Sequence, residues 1–143
     1  MSESPLLSTV VLNWNRDDLL RTTVGSYLAT VSVPYELIIV DNASTDGSRA
    51  FIASVCDGRA NHRAILLPRN TGGEGLNIGL EQCRGAFLQV SENDLEYLPG
   101  WDRELLSKFD EFPELGQLSP FSPFHQAERG EIWTDRAAPS RTS

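Results

Sequence analysis

Four short apolar runs, separated by segments of helical spacing, set the limits on what this chain can fold into. The runs are "STVVLNW" (8–14), "YELIIV" (35–40), "RAILL" (63–67) and "AFLQV" (86–90). They are too short for buried helices and rich in Val, Ile and Leu. Three of the four lack polar alternation, the pattern of strands covered on both faces in a parallel sheet. Between them, Leu20, Val24, Tyr27 and Val31 step by four, three and four. Phe51, Ile52 and Val55 mark a second helix, which "STDG" (44–47) starts. Leu76, Gly79, Leu80 and Cys83 mark a third, and Trp101, Leu105, Phe109 and Phe112 a fourth, closed by Pro113. Asn15 is placed to cap the first helix, with Asp17 and Asp18 in its first turn. The order βαβαβαβα predicts a doubly wound α/β fold with right-handed crossovers. Beyond residue 114 one further short strand and loops are expected, ending in a disordered "RAAPSRTS".

In such a fold, ligands bind outside the carboxyl ends of the strands. That rule selects Asn13–Asn15, Asp41–Asn42, Arg69–Gly73 and Glu92–Asp94, all polar. Each admits two readings. Asp41, after "IIV", suits a ribose diol or a base N–H, yet "DNASTDGS" equally reads as an Asx turn leading into a helix. Gly72, Gly73, Gly75 and Gly79 allow close approach of backbone to a phosphate, or of a helix to a sheet. Their spacing is not GxGxxG, and no Gly-Lys-Ser/Thr follows. Glu92, Asp94 and Glu96 form an exposed acidic turn or a cation site. If the strand ran on, they would share one side at spacings of about 7 Å. Mutual repulsion would then be about 2 kcal/mol per neighbouring pair at an effective dielectric near 20. A hard divalent cation relieves that repulsion. His62 and His125 have no metal-ligand spacing, and Trp14 and Trp133 read as packing residues.

Composition narrows the classes. A net charge of −8 disfavours nucleic acid as a partner. A phosphorylated small molecule stays compatible if a metal supplies positive charge. No run approaches a membrane span, and "MSESPLLSTVVLNW" has no basic n-region of a secretory signal. Cys56 and Cys83 form no metal or redox pattern and read as buried thiols in a reducing, cytoplasmic setting.

Taken in order, "VVLNWNRDDLL", "IIVDNASTDGS", "RNTGGEGLNIGL" and "GAFLQVSENDLEYLPGW" resemble the family 2 inverting glycosyltransferases. The likeness covers roughly residues 7–105 and is greatest to a bacterial branch of rhamnosyltransferases and other cell-surface polysaccharide enzymes. It implies the GT-A fold, a three-layer α/β/α arrangement with a mostly parallel sheet, incomplete here at its C-terminal side. Residues 1–114 would be the donor-binding core, and 115–143 a partial acceptor-side segment and polar tail. The resemblance implies that Leu12, Asn13 and Asn15 line a nucleotide pocket and that Asp41 contacts base or ribose. Arg69, Asn70, Gly72 and Gly73 would lie near the nucleotide and its phosphates, with Asn93 beside them. Glu92 and Asp94 fall on the first and last positions of a DxD motif, with Asp94 contacting a Mn²⁺ or Mg²⁺ ion. Glu92 stands where the family has Asp, one methylene longer.

The implied reaction moves a sugar from a nucleoside diphosphate sugar to a hydroxyl of a saccharide or lipid-linked saccharide, compatible with peripheral membrane association. The family's catalytic base lies downstream of DxD. Glu128, Glu131 and Asp135 are available carboxylates, none of which fits that role. A non-catalytic nucleotide- or protein-binding remnant of such an enzyme is the alternative. A nucleotidyltransferase would need a Gly-rich basic loop where "NWNRDD" stands. A receiver-type domain would need an acid where Arg69 and Asn70 stand.

Overall fold

The structure, a computed structural model, describes residues 4–119. The chain divides into two units, Met1–Leu106 and Ser107–Ser143. The first unit holds β1 (Leu7–Asn13), α1 (Asp17–Thr30), β2 (Tyr35–Asp41), α2 (Ser48–Cys56), β3 (His62–Leu66), α3 (Glu74–Leu80) and β4 (Phe87–Ser91), together with the start of α4 (Trp101–Glu111). In the second, the last turns of α4 carry an ion pair between Lys108 Nζ and Glu111 Oε2 at 3.1 Å. The residues weighed beyond 119, namely His125, Glu128, Glu131, Trp133 and Asp135, together with the further strand and polar tail expected there, lie outside the described residues.

All strand pairs are parallel, in the order β3-β2-β1-β4. The expected α/β architecture is therefore present. Strand parity explains its layers. Val11, Leu37 and Ile39 pack on Leu20, Val24 and Tyr27 of α1 and Ile52 of α2. Val10, Ile38 and Val40, one residue out of phase, pack with Leu67 against Leu76, Ile78 and Leu80 of the α3 side. Helices thus cover both faces, and β1 and β2 are buried along nearly their whole length. That is why their sequences read as continuous apolar runs.

Gly79 sets the closeness of α3 to the sheet. A Cβ there would stand 2.5 Å from Val10 Cγ1 and 2.8 Å from Val40 Cγ2. Close packing is therefore the role the geometry gives Gly79, and Gly75 contributes similarly, facing Leu12 Cδ1 at 3.0 Å. At the opposite end of the sheet, buried Glu36 takes hydrogen bonds from Ser8 Oγ and the Arg84 backbone N–H, both at 2.6 Å. These pin the segment entering β4. Leu88 and Val90 of β4 remain exposed, at 58% and 54%.

One local expectation needs correction. Asn15 does not cap α1. The residue at that cap is Arg16, which makes no side-chain capping bond, and Asn15 has a left-handed backbone with φ 49°. Its Oδ1 instead accepts the Thr45 N–H at 2.7 Å, so its capacity is spent across the strand ends. The fourth strand, Phe87–Ser91, ends within a residue of its apolar run, and the chain then bends to seat Asn93 and Tyr97.

Candidate functional site

The strand order reverses direction between β1 and β4. At that switch point the crossovers leave to opposite faces, which in open α/β sheets is where a ligand crevice lies, outside the carboxyl ends of the strands. Asn13 and Asp41 are register partners in the last rung between β1 and β2. Their side chains therefore emerge side by side, and both are fully buried.

Asp41 is the most heavily bonded residue there. Oδ1 accepts from Ser44 Oγ at 2.6 Å and Asn13 Nδ2 at 3.1 Å. Oδ2 accepts from the Ser44 N–H at 2.9 Å and Arg49 Nε at 3.0 Å. A carboxylate offers about four lone-pair sites, so all are used. Burial acts to raise its pKa, but the bonds from Ser44, Asn13 and Arg49 outweigh it. The net position is below the ordinary carboxylate value. The same Arg49 donates Nη2 to the Leu67 carbonyl, tying the end of β3 to that of β2.

From this knot three other strand ends are reached. Asn13 Oδ1 accepts Asn93 Nδ2 at 2.8 Å, which brings in the turn after β4. Ser44 Oγ accepts the Asn15 N–H at 2.9 Å, which folds the β1 end over β2. Asn42 Oδ1 accepts the Thr71 N–H at 2.9 Å, while Asn42 Nδ2 donates to the Gly72 carbonyl at 2.9 Å. Asn42 thereby reproduces a strand-like pairing with the loop after β3. Gly72 has φ 62°, a conformation that suits glycine, and its N–H is held by Asn70 Oδ1 at 2.8 Å. Gly73 has no such requirement and faces open space.

The structure thus brings Asn13, Asn15, Asp41, Asn70, Gly72 and Asn93 into one bonded array. Leu12 lies on the opposite face, packed in the α3-side core. Arg69 is exposed on the loop after β3. Glu92 and Asp94 are exposed on either side of buried Asn93. Asp94 Oδ2 lies 3.5 Å from Arg16 Nη1, with both side chains well solvated. Such a pair is weak and leaves Asp94 free to exchange partners. Among the described residues no group of three His, Cys, Asp or Glu side chains converges to hold a metal by itself. Glu92 and Asp94 are hard oxygen donors that suit a divalent cation completing its shell with ligand oxygens.

Two residues of this array, Ser44 and Arg49, are not singled out by the sequence as ligand-type positions, whereas Asn42 falls in a selected strand end. Trp14, read as a packing residue, is 52% exposed just beyond β1. Its signal was position, directly between two residues whose side chains turn into the array. Ala43, with φ 64°, is a second left-handed non-glycine residue at the site. Such conformations gather where the surroundings impose them.

Comparison with known proteins accords with this geometry. The sequence model described as Glycosyl transferase family 2 matches residues 8–137. The succinoglycan biosynthesis protein ExoO of Rhizobium meliloti is 32% identical over 107 residues, covering 74% of this chain and 30% of that protein. A putative teichuronic acid biosynthesis glycosyltransferase of Bacillus subtilis, TuaG, is 29% identical over 109 residues, covering 76% and 42%. The chain thus spans less than half the length of these curated relatives. Among solved structures, S. aureus TarS 1-349 superposes with a TM-score of 0.67 at 20% identity, covering 82% of this chain and 39% of that one. A crystal structure of TarS 1-349 in complex with UDP-GlcNAc superposes with a TM-score of 0.66 at 21% identity, covering 82% and 38%. The fold is accordingly of the GT-A kind.

Proposed function

The chain belongs to glycosyl transferase family 2, and from that premise we propose that the crevice at the ends of β1, β2 and β4 binds the nucleoside diphosphate of a sugar donor. The protein transfers that sugar, with inversion, to a hydroxyl of a saccharide or lipid-linked saccharide in cell-surface polysaccharide synthesis. The observation that carries this reading is the bonded junction of Asn13, Asp41 and Asn93. It holds three strand ends around one crevice at the switch point of the sheet.

Each residue has a role in the proposal. Trp14 offers its exposed indole as a stacking face for the base. Asp41 contacts base or ribose only by exchanging one of its four internal bonds. Arg49, itself 37% exposed, is the partner able to swing away. Leu12 acts through packing behind the pocket, while Asn15, Asn70, Gly72 and Gly73 shape its wall. Arg69, exposed on the loop after β3, is assigned to the phosphates in this reading. Asp94, with Glu92, would hold Mn²⁺ or Mg²⁺. A metal bound there supplies neutralisation of the charge that develops on the departing diphosphate. The longer Glu92 reaches by one more methylene than Asp would.

Residues 1–114 form the donor-binding core in this reading, and 115–143 begin the acceptor side. No residue of this chain is assigned the general base in this reading. Cys56 and Cys83 are unpaired thiols, in keeping with a reducing cytoplasm. No helix among the described residues is long and apolar enough to cross a membrane, and a peripheral approach to a lipid-linked acceptor fits the proposal.

Calorimetry of the folded chain with UDP, GDP and dTDP, each with and without Mn²⁺, tests the reading. Binding of at least one, tightened by metal, is expected, and no binding by a folded chain overturns it. Donor turnover then separates transfer from nucleotide binding alone.

A further inference from the structure

β4 ends at Ser91, and residues 92–98 form neither helix nor strand, with a turn at Asn93 and Asp94. Side chains tie down the turn that presents Glu92 and Asp94. A buried run of hydroxyl and amide groups reaches it from beneath. Tyr27 Oη and Thr9 Oγ1 are 2.8 Å apart, and Thr9 Oγ1 donates to Gln89 Oε1 at 2.9 Å. Gln89 Nε2 donates to Tyr97 Oη at 3.2 Å, and Tyr97 Oη donates to Ser91 Oγ at 2.6 Å. Ser91 Oγ donates to the Glu92 carbonyl at 3.0 Å.

The last partner settles every proton in the run. A carbonyl only accepts, so Ser91 must spend its one proton on Glu92. Tyr97 must then spend its proton on Ser91, and Gln89 must turn its amide N–H to Tyr97. The Gln89 oxygen then faces Thr9, which donates to it, and Tyr27 donates to Thr9. One proton arrangement satisfies the whole run, and aligned bonds of this kind reinforce one another.

We infer that Tyr97 is a positioning residue, whose hydroxyl fixes the start of the Glu92–Asp94 turn while its ring anchors the far side of that turn in the core. The ring meets Tyr27 edge-on at 5.3 Å and Trp101 at 4.6 Å. Its backbone N–H donates to Ser26 Oγ of α1 at 2.9 Å. Between the two ends, Thr23 Oγ1 accepts the Leu95 N–H at 2.9 Å and donates to the Leu95 carbonyl at 2.8 Å. Asn93 is held by Asn13. Only Glu92, Asp94 and Glu96 are left to project outward along this stretch, with the side chain of Leu95. Burial raises the Tyr97 phenol against the opposing effect of its hydrogen bonds with Ser91 and Gln89. It therefore stays a neutral donor at neutral pH.

The inference rests on the donor-site reading for its functional half, and the experiment separates the two. Tyr97→Phe removes the hydroxyl and keeps the ring. Ser91→Ala breaks the same link from the other side, should Tyr97→Phe fail to fold. Tyr27→Phe removes a hydroxyl at the remote end and leaves every bond from Thr9 onward. In ¹⁵N NMR spectra of the chain without ligand, Tyr97→Phe and Ser91→Ala should displace the Glu92 and Asn93 amide signals. Tyr27→Phe should leave them in place. In calorimetry, the first two should weaken Mn²⁺-dependent UDP binding about tenfold, the scale of one lost buried hydrogen bond. UDP binding without metal should hold in all three. Undisplaced signals in Tyr97→Phe and Ser91→Ala overturn the positioning role. So does equal loss of metal-linked affinity in Tyr27→Phe. A wild-type chain that binds no UDP overturns the donor-site reading instead, and the positioning role would then concern the turn alone.

Discussion

Asn93 donates its side-chain amide to Oδ1 of Asn13 across 2.8 Å, joining residues 80 positions apart. Asn13 passes the connection on through its own amide to Asp41. Replacing Asn93 by Ala leaves the buried Asn13 oxygen without that donor. A stability loss of about 1–3 kcal/mol is expected, read as a lower urea midpoint with unchanged slope. UDP binding should weaken as well, because the β4 turn loses its tie to β1.

The Asp41 carboxyl is held below its ordinary value, so its sign is fixed. Its contribution to stability is present above the unfolded pKa, about 3.9, and is lost as pH falls through the lower folded value. Asp41→Asn should destabilise the chain at pH 7, since an amide cannot accept on both sides. It should also flatten the acid limb of a stability–pH curve below about pH 4 by up to one proton's worth of slope. An acid limb as steep as wild type would contradict the assigned protonation state.

Two glycines should behave oppositely. In Gly79→Ala the new methyl meets Val10 and Val40, and overpacking of this sort costs about 1–3 kcal/mol. Gly73 has φ −66° and open space around it. Gly73→Ala should be neutral or stabilising by up to about 1 kcal/mol. Thermal unfolding of the two variants in parallel checks the contrast.

Asp94→Asn should leave stability within about 0.5 kcal/mol, because its ion pair with Arg16 is solvated. The same change should abolish the effect of Mn²⁺ on UDP binding. A variant whose UDP affinity still rises with Mn²⁺ would remove Asp94 from the proposed metal site.

Trp14→Ala should reduce nucleotide affinity by about 1–3 kcal/mol, the scale of base–aromatic stacking, with or without metal. In the wild-type chain, UDP should perturb tryptophan fluorescence, and Trp14→Ala should lose that response.

The fold was readable because β1 and β2 are covered on both faces, so Val10 to Leu12 and Leu37 to Val40 form unbroken apolar runs between helical segments. The strand ends were readable by the same logic, since polar residues interrupt those runs abruptly. Less readable was how the ends connect. Asn15 looks like a helix cap in one dimension, but its left-handed backbone turns its oxygen toward Thr45. Ser44 and Arg49 look like parts of a turn and a helix surface until β2 brings Asp41 beneath them. Trp14 reads as a packing residue because an aromatic after an apolar run usually continues it, whereas here the chain has already left the sheet and the residue is half exposed. The Tyr27–Tyr97 run depends on pairing β1 with β4, which no local pattern encodes.

The placement of β1 between β2 and β4 also orders events in time. Thr9 and Gln89, hydrogen-bonded across the sheet, are 80 residues apart. At typical synthesis rates of about 5–20 residues per second, β4 emerges roughly 4–16 s after β1. During that interval a nascent chain can zip β1 to β2 and fold α1 over them. Asn13 must wait for Asn93, and the crevice is completed only when the last strand docks. High sequence separation of this kind slows folding, so the binding site is among the last parts of the molecule to exist.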